Sequence, residues 1–285
     1  MKVRVILASL VAIAALSLSA QAAEAPVGVV DSPCASVDPV PAVVTAYMAR
    51  VEAAKKAQQP APVPTVDEMK IYRDWQARLL VSDFAGRCRY DSDNAKLPVA
   101  TSHRVVFFGD SITEIWGRSD PDFFSNDIIN RGISGQTTGQ MLLRFQTDVI
   151  ALKPHAVHII AGTNDIAGNT GATKLAWVEG NIEAMTDLAQ AHGIKVVLGA
   201  IPPAARFDWR PAIKPPAIIA AYNQWLRDFA AKRKLQFVDY HSALNDGQGG
   251  IPAKFSGDGV HPNAQGYALM LPLARKAVTA ATSGR

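Results

Sequence analysis

The chain has 285 residues, 48% of them apolar and 19% charged, which is enough to bury a sizeable core and too apolar for a disordered chain. The formal net charge of +4 includes Lys2 and Arg4 at the N-terminus; losing both leaves +2, or +3 where Glu24 goes as well. No run of Lys and Arg with interleaved aromatics marks a nucleic-acid stripe, and Lys232-Arg233-Lys234 reads as the solvated last turn of a helix.

Taken in order, the chain begins with Lys2 and Arg4 ahead of an apolar stretch, residues 5–20. Ala20-Gln21-Ala22 or Ala23-Glu24-Ala25 then offers small residues for cleavage. Residues 1–25 are expected to be a secretory signal peptide, so the mature protein is expected to be exported, periplasmic or secreted. The apolar run is short and lacks a charged stop-transfer flank, and no later stretch suits a bilayer span, so no stable membrane anchor is expected. An oxidising destination makes a disulfide between Cys34 and Cys88 plausible, the alternative being two free buried thiols. Two cysteines do not build a usual zinc site, and the six histidines show no metal-ligand spacing backed by carboxylates. His155 and His158 read as ordinary strand residues.

Residues 26–100 have their own texture. Residues 42–58 read as a helix, and Pro60-Ala61-Pro62-Val63-Pro64 breaks it. A second helix is predicted from Thr65, where Thr65-Val66-Asp67-Glu68 fits a capping box, with Met69, Tyr72, Leu79 and Leu80 on one face near Trp75. Such a helical extension needs something larger to pack on.

The main domain is expected over residues 101–285. Strands are predicted at 104–108, 127–130, 155–161, 194–200 and 235–239, with helices at 140–152, 175–192, 218–234 and 264–282. Strands separated by helices imply crossover connections, hence a mostly parallel five-stranded sheet in a three-layer αβα sandwich. In open sheets of this kind ligands bind beyond the carboxyl ends of the strands. There the first strand gives Gly109-Asp110-Ser111, the second is followed by Gly132-Ile133-Ser134-Gly135, and the third by Gly162-Thr163-Asn164-Asp165.

Ser111 is the candidate nucleophile. A serine hydroxyl needs a base within hydrogen-bond reach, and the base needs a group that fixes its tautomer. Asp258-Gly259-Val260-His261-Pro262 can supply both from one short loop. Attack on an ester carbonyl creates an oxyanion, and the backbone N–H groups of Ser111 and Gly135 with the side-chain amide of Asn164 would make a three-donor hole for it. Asp110 is expected to brace the turn rather than react, and Trp116 to pack rather than wall an acyl pocket. Residues 201–217, with Arg206, Phe207, Trp209 and Arg210 among prolines, suit a stiff loop over the active-site edge.

These four blocks, in this order, resemble the signature of the SGNH (GDSL-type) hydrolases. The resemblance implies a flavodoxin-like αβα fold and ester hydrolysis without metal or organic cofactor. It implies Ser111 as nucleophile, Gly135 and Asn164 as oxyanion donors, His261 as base and Asp258 as its partner. Asn130-Arg131-Gly132 and Thr137-Thr138 are similar to the branch with platelet-activating-factor acetylhydrolase-like and carbohydrate acetylesterase-like members. The substrate expected is a small-molecule or glycan ester with a short acyl group. A lipase or thioesterase for longer chains, and a silent glycan-binding protein on the same fold, stay open at this point, and no feature of the sequence sets the oligomeric state.

Overall fold

Five short runs rich in Val, Ile and Phe supply the sheet, and most of them are apolar on both sides, as strands covered on both faces must be. The computed structural model describes residues 28–57, 59, 62–124 and 127–283. The predicted signal peptide, residues 1–25, lies outside them. The elements are α1 (Ala42–Lys56), α2 (Val66–Ser82), α3 (Asp91–Ala95), β1 (Val105–Gly109), α4 (Ser111–Ser119), β2 (Ile128–Gly132), α5 (Thr138–Asp148) and β3 (Ala156–Ile160). They continue as α6 (Thr163–Ile166), α7 (Leu175–Ala191), β4 (Lys195–Gly199), α8 (Pro215–Arg233), β5 (Gln236–Val238), α9 (Tyr240–Leu244) and α10 (Ala264–Thr282).

The five strands form one all-parallel sheet in the order β2-β1-β3-β4-β5. The fold is the expected α/β sandwich, with α1 and α2 preceding the first strand. Right-handed crossovers put α4 on one face and α5, α7 and α8 on the other; α4 packs with α10, and α5 with α7. Because β2 and β3 lie on opposite sides of β1, the strand order reverses there, and the crevice at the carboxyl ends of β1 and β3 is the natural ligand site. Gly109 is in register with Gly132 on one side and Ile160 on the other, so the three loops that follow leave the sheet at one level.

Beneath that edge the core is aromatic. Trp116 is fully buried, stacked on Phe123 and Tyr267 and edge-on to Phe107 and Tyr240. It packs, as expected. His158 is also a core residue: it stacks on Phe107 with ring centroids 4.3 Å apart, its Nε2 is 2.9 Å from the Tyr240 hydroxyl, and burial pushes its pKa down to about 3.

Several boundaries moved. Helix α4 was not predicted, and the helix expected over 140–152 begins two residues earlier and stops at Asp148 before a short 3-10 turn. Thr137 and Gln140 form a capping box that starts it. Helix α8 starts at Pro215 because proline lacks the N–H that a first turn leaves unused. In the extension the Thr65 capping box forms, with Glu68 N–H donating to Thr65 Oγ1 at 3.2 Å and Thr65 N–H to Glu68 at 2.8 Å. The apolar face expected there is incomplete: Leu80 is exposed, and α2 buries no side chain fully. Neither Cys34 nor Cys88 carries a free thiol; each is disulfide-bonded. Among the described residues no helix is long and apolar enough to cross a membrane, and no group of His, Cys, Asp or Glu is arranged to hold a metal ion.

Candidate active site

Ser111 opens α4 immediately after the β1 turn. Asp110 caps that helix, its Oδ1 accepting from the Ile112 N–H at 3.0 Å. As the first helical residue, Ser111 has a backbone N–H with no acceptor inside the helix. Its side chain, 9% exposed, stands at the carboxyl edge of the sheet.

The partner groups arrive from the loop that precedes α10. There Asp258 Oδ1 accepts from the N–H groups of Val260 and His261 at 2.9 and 2.8 Å, which folds the carboxylate back over its own turn. Its other oxygen meets His261 Nδ1 at 2.6 Å. An ionised carboxylate only accepts, so Nδ1 carries the ring proton and Nε2 presents its lone pair. Ser111 Oγ lies 2.8 Å from that nitrogen, so hydroxyl, imidazole and carboxylate stand in one line.

Burial alone would push the His261 pKa down. The hydrogen bond and charge of Asp258, with the charge of Asp110 behind them, outweigh it and lift the imidazole above its ordinary range. Burial also works against the Asp258 charge, yet the hydrogen bond and charge of His261 and the two backbone N–H groups hold it well below the usual carboxylate range. Asp110 goes the other way: burial outweighs the Ile112 N–H and His261, and its pKa is pushed up to about 6.

Beyond β2, Ile133 to Gln136 form a turn closed by the Gln136 N–H on Ile133 O at 3.3 Å. Gly135 is its third residue with φ +81°, a conformation that a type II turn requires and a side chain resists. At Gly132 the constraint is space, since a Cβ would lie 2.2 Å from the Glu114 backbone nitrogen. Beyond β3, Asn164 sits in α6, 4% exposed. Its Nδ2 donates to Gln136 O at 2.9 Å and to Asp110 Oδ2 at 3.1 Å. The three loops are thus bonded into one cluster around Ser111. One detail departs from expectation: both hydrogens of the Asn164 amide already have acceptors, so an incoming anion has to win one of them, and charge-assisted bonds are the stronger kind.

The segment after α2 moors the Gly135 loop. Gln136 Nε2 donates to Ala85 O, and Gln140 Nε2 to Phe84 O, each at 2.7 Å. The Tyr90 hydroxyl donates to Gly132 O. Glu114 accepts from the N–H and hydroxyl of Ser134, and Arg89 lies against it at 3.4 Å. From below, the fully buried Arg144 donates to Gln136 Oε1, Arg131 O, Gly109 O and Asp148.

Two further residues touch this cluster and were not singled out from sequence for it. Asn169 follows α6; its Nδ2 donates to Asn164 Oδ1 at 2.8 Å and to Gly135 O at 3.2 Å. Trp209, read only as part of a stiff loop, donates its indole N–H to Asn169 Oδ1 at 3.0 Å. No local signal marks Asn169, which looks like an ordinary turn residue beside Gly168.

Residues 107–269 match the model of the GDSL-like Lipase/Acylhydrolase family. A GDSL-like lipase from Bacteroides thetaiotaomicron, known as a crystal structure, is 44% identical, with a TM-score of 0.68, over 70% of this chain and 100% of that one. An acetylxylan esterase from Geobacillus stearothermophilus is 22% identical over 217 residues, 61% of this chain and 93% of its own. An uncharacterized lipoprotein, YqeF, from Bacillus subtilis is 43% identical over 76 residues, which span only 31% of its length and 25% of this chain.

Proposed function

Since the chain belongs to the GDSL-like lipase/acylhydrolase family and is a carboxylic ester hydrolase, we propose that it cleaves short-chain acyl esters, O-acetyl groups on carbohydrate in particular, through Ser111, His261 and Asp258. The observation that carries this reading is the unbroken line from Ser111 Oγ through the His261 ring to Asp258, at 2.8 and 2.6 Å. His261 takes the Ser111 proton as Oγ attacks the acyl carbon. The N–H groups of Ser111 and Gly135 and the amide of Asn164 receive the oxyanion, and protonated His261 gives its proton to the leaving alcohol. Water repeats the sequence and frees the acid.

The short acyl group is supported by the groups bonded around Ser111, which are polar: Asp110, Asn164, the Gln136 carbonyl and His261. A long alkyl chain gains about 0.8 kcal/mol per methylene only against apolar walls, and these four groups are polar. The carbohydrate half is supported by the exposed Trp209 beside Asn169 and by the activity named for the Geobacillus relative. The export reading keeps residues 1–25 as a signal peptide, residues 26–100 as an extension and 101–285 as the hydrolase domain, with Cys34 and Cys88 paired.

Hydrolysis of p-nitrophenyl acetate, butyrate and octanoate beside an O-acetylated xylo-oligosaccharide tests the substrate. Acetate is expected to be fastest and the acetylated sugar to be cleaved; faster octanoate turnover would move the enzyme to the lipase or thioesterase class.

The base predicts the acid limb of the pH profile. Only neutral His261 accepts the Ser111 proton, and its pKa is raised, so kcat/KM is expected to fall as pH drops through a midpoint above about 6.5. Asp258→Asn removes the carboxylate that raises it most and leaves only Asp110, so the midpoint should shift to lower pH while the plateau rate drops. A limb that stays put in that variant would take Asp258 out of the role.

A further inference from the structure

The Trp209–Asn169–Asn164 chain has a direction. An indole nitrogen only donates, and at the other end a backbone carbonyl and the Asp110 carboxylate accept. Between these ends stand two amides, each of which could be turned either way. Trp209 Nε1 donates to Asn169 Oδ1, which puts the Asn169 NH2 toward Asn164 Oδ1, which in turn puts the Asn164 NH2 toward Gln136 O and Asp110 Oδ2. Reversing either amide would set donor against donor at one end and acceptor against acceptor at the other. The donor-only indole at one end and the acceptor-only carbonyl and carboxylate at the other therefore set both amides the same way, with Asn169 aligned to both.

Asn169 also donates to Gly135 O, so one side chain holds two of the three loops that carry the proposed oxyanion donors. Trp209 itself is 40% exposed, while its neighbour Phe207 is fully buried with ring centroids 5.1 Å apart. The loop under it is pinned, because the Asn223 amide bonds both the N–H and the carbonyl of Ile201 at 2.9 and 3.0 Å. A fixed, half-open aromatic ring offers a face to the flat C–H side of a pyranose at little ordering cost.

We propose that Asn169 is a positioning residue for the Asn164 amide and that Trp209 is the specificity residue that stacks on the sugar ring of an O-acetylated pyranoside, the two roles being joined by the indole N–H. This rests on Asn164 being an oxyanion donor. When the sugar seats on Trp209, the same residue holds, through Asn169, the amide from which the oxyanion must win a hydrogen, so recognition of the alcohol half and stabilisation of the anion share one anchor.

Five proteins decide it: wild type, Trp209→Phe, Trp209→Ala, Asn169→Asp and the Trp209→Phe/Asn169→Asp double variant, assayed on p-nitrophenyl acetate and on an O-acetylated xylo-oligosaccharide. Phenylalanine keeps a ring and loses the N–H; aspartate keeps the acceptor for Trp209 and loses the donor to Asn164. Trp209→Phe is expected to lower kcat about tenfold on both esters, the size of one lost hydrogen bond, and Asn169→Asp at least as much because its carboxylate also faces Gly135 O, with KM for p-nitrophenyl acetate changed less than about twofold. Their combination should lose no more than the larger single effect, since both act on one chain. Trp209→Ala should further raise KM for the acetylated sugar about tenfold, with KM for p-nitrophenyl acetate unchanged. Wild-type kcat in Trp209→Phe would overturn the positioning role even where Asn169→Asp misfolds, and equal KM changes on both esters in Trp209→Ala would overturn the specificity role. If wild type cleaves p-nitrophenyl acetate but not the sugar ester, the carbohydrate reading and the specificity role fall together, while positioning is still decided on the small ester.

Discussion

Replacing Ser111 by alanine is expected to lower kcat for p-nitrophenyl acetate by on the order of 10,000-fold or more with the fold intact, and His261→Ala to cost about as much. The two losses should not add. Ser111 Oγ is a useful nucleophile only while His261 Nε2, 2.8 Å away, takes its proton, and His261 has no proton to take once the hydroxyl is gone. Ser111 carries little of the structure: its hydroxyl meets only the His261 ring, and Asp110 caps the helix that follows it. Circular dichroism should therefore show a folded variant, and a fluorophosphonate that labels the wild type should leave Ser111→Ala unmodified. Turnover within tenfold of wild type in either variant would move the chemistry to another group.

The second large effect is on stability. Arg144 and Asp148 are both fully buried one helical turn apart, joined at 2.9 Å, with the Arg144 guanidinium 4.2 Å over the Phe108 ring. Burial pushes the Arg144 pKa down, against the pull of Asp148, and the remaining donors end on Gly109 O, Arg131 O and Gln136. Arg144→Ala leaves the buried carboxylate without its cation, held by the Asn94 amide at 2.8 Å, and strands these acceptors with it. The expected cost is about 3–5 kcal/mol, a large part of the roughly 5–15 kcal/mol that holds a domain folded. Urea unfolding should show it as a lower midpoint. Asp148→Asn is expected to cost less, and Arg144→Met with Asp148→Asn less than the two single losses combined, because the pair's desolvation is then removed with its attraction. A double variant that simply adds would mean the two side chains act independently.

The strands were legible because a parallel strand covered on both faces is an unbroken apolar run, and Val105–Gly109 and Ala156–Ile160 have no exposed side to interrupt it. The shifts at their ends are a residue or two, set by where the glycine turns begin. Helix α4 was harder to see: Ser111–Ser119 starts without a break after β1 and contains Ile, Thr and Gly, poor helix formers that hold their shape here because Trp116 and Ile112 are buried. Asp258 and His261 could be paired from sequence because three residues separate them in one loop. The N-terminal capping box of α5 at Thr137 and Gln140 was written in the chain and would have placed that helix correctly. Asn169 and Trp209 are another matter, since forty positions separate them and only the crossover of β4 and its loop brings them together. A contact made by topology leaves no spacing to read.

Similarity to the family begins at residue 107, yet the carbonyls that receive Gln136 and Gln140, and the hydroxyl that reaches Gly132, belong to Phe84, Ala85 and Tyr90. The stretch that matches the family model is therefore smaller than the hydrogen-bonded unit around the site. Residues 84–90 and the glycine turn they fasten share these hydrogen bonds, so a change in either reaches the other. A catalytic part cut at residue 107 would leave the hydrogen bonds to Phe84, Ala85 and Tyr90 unmade.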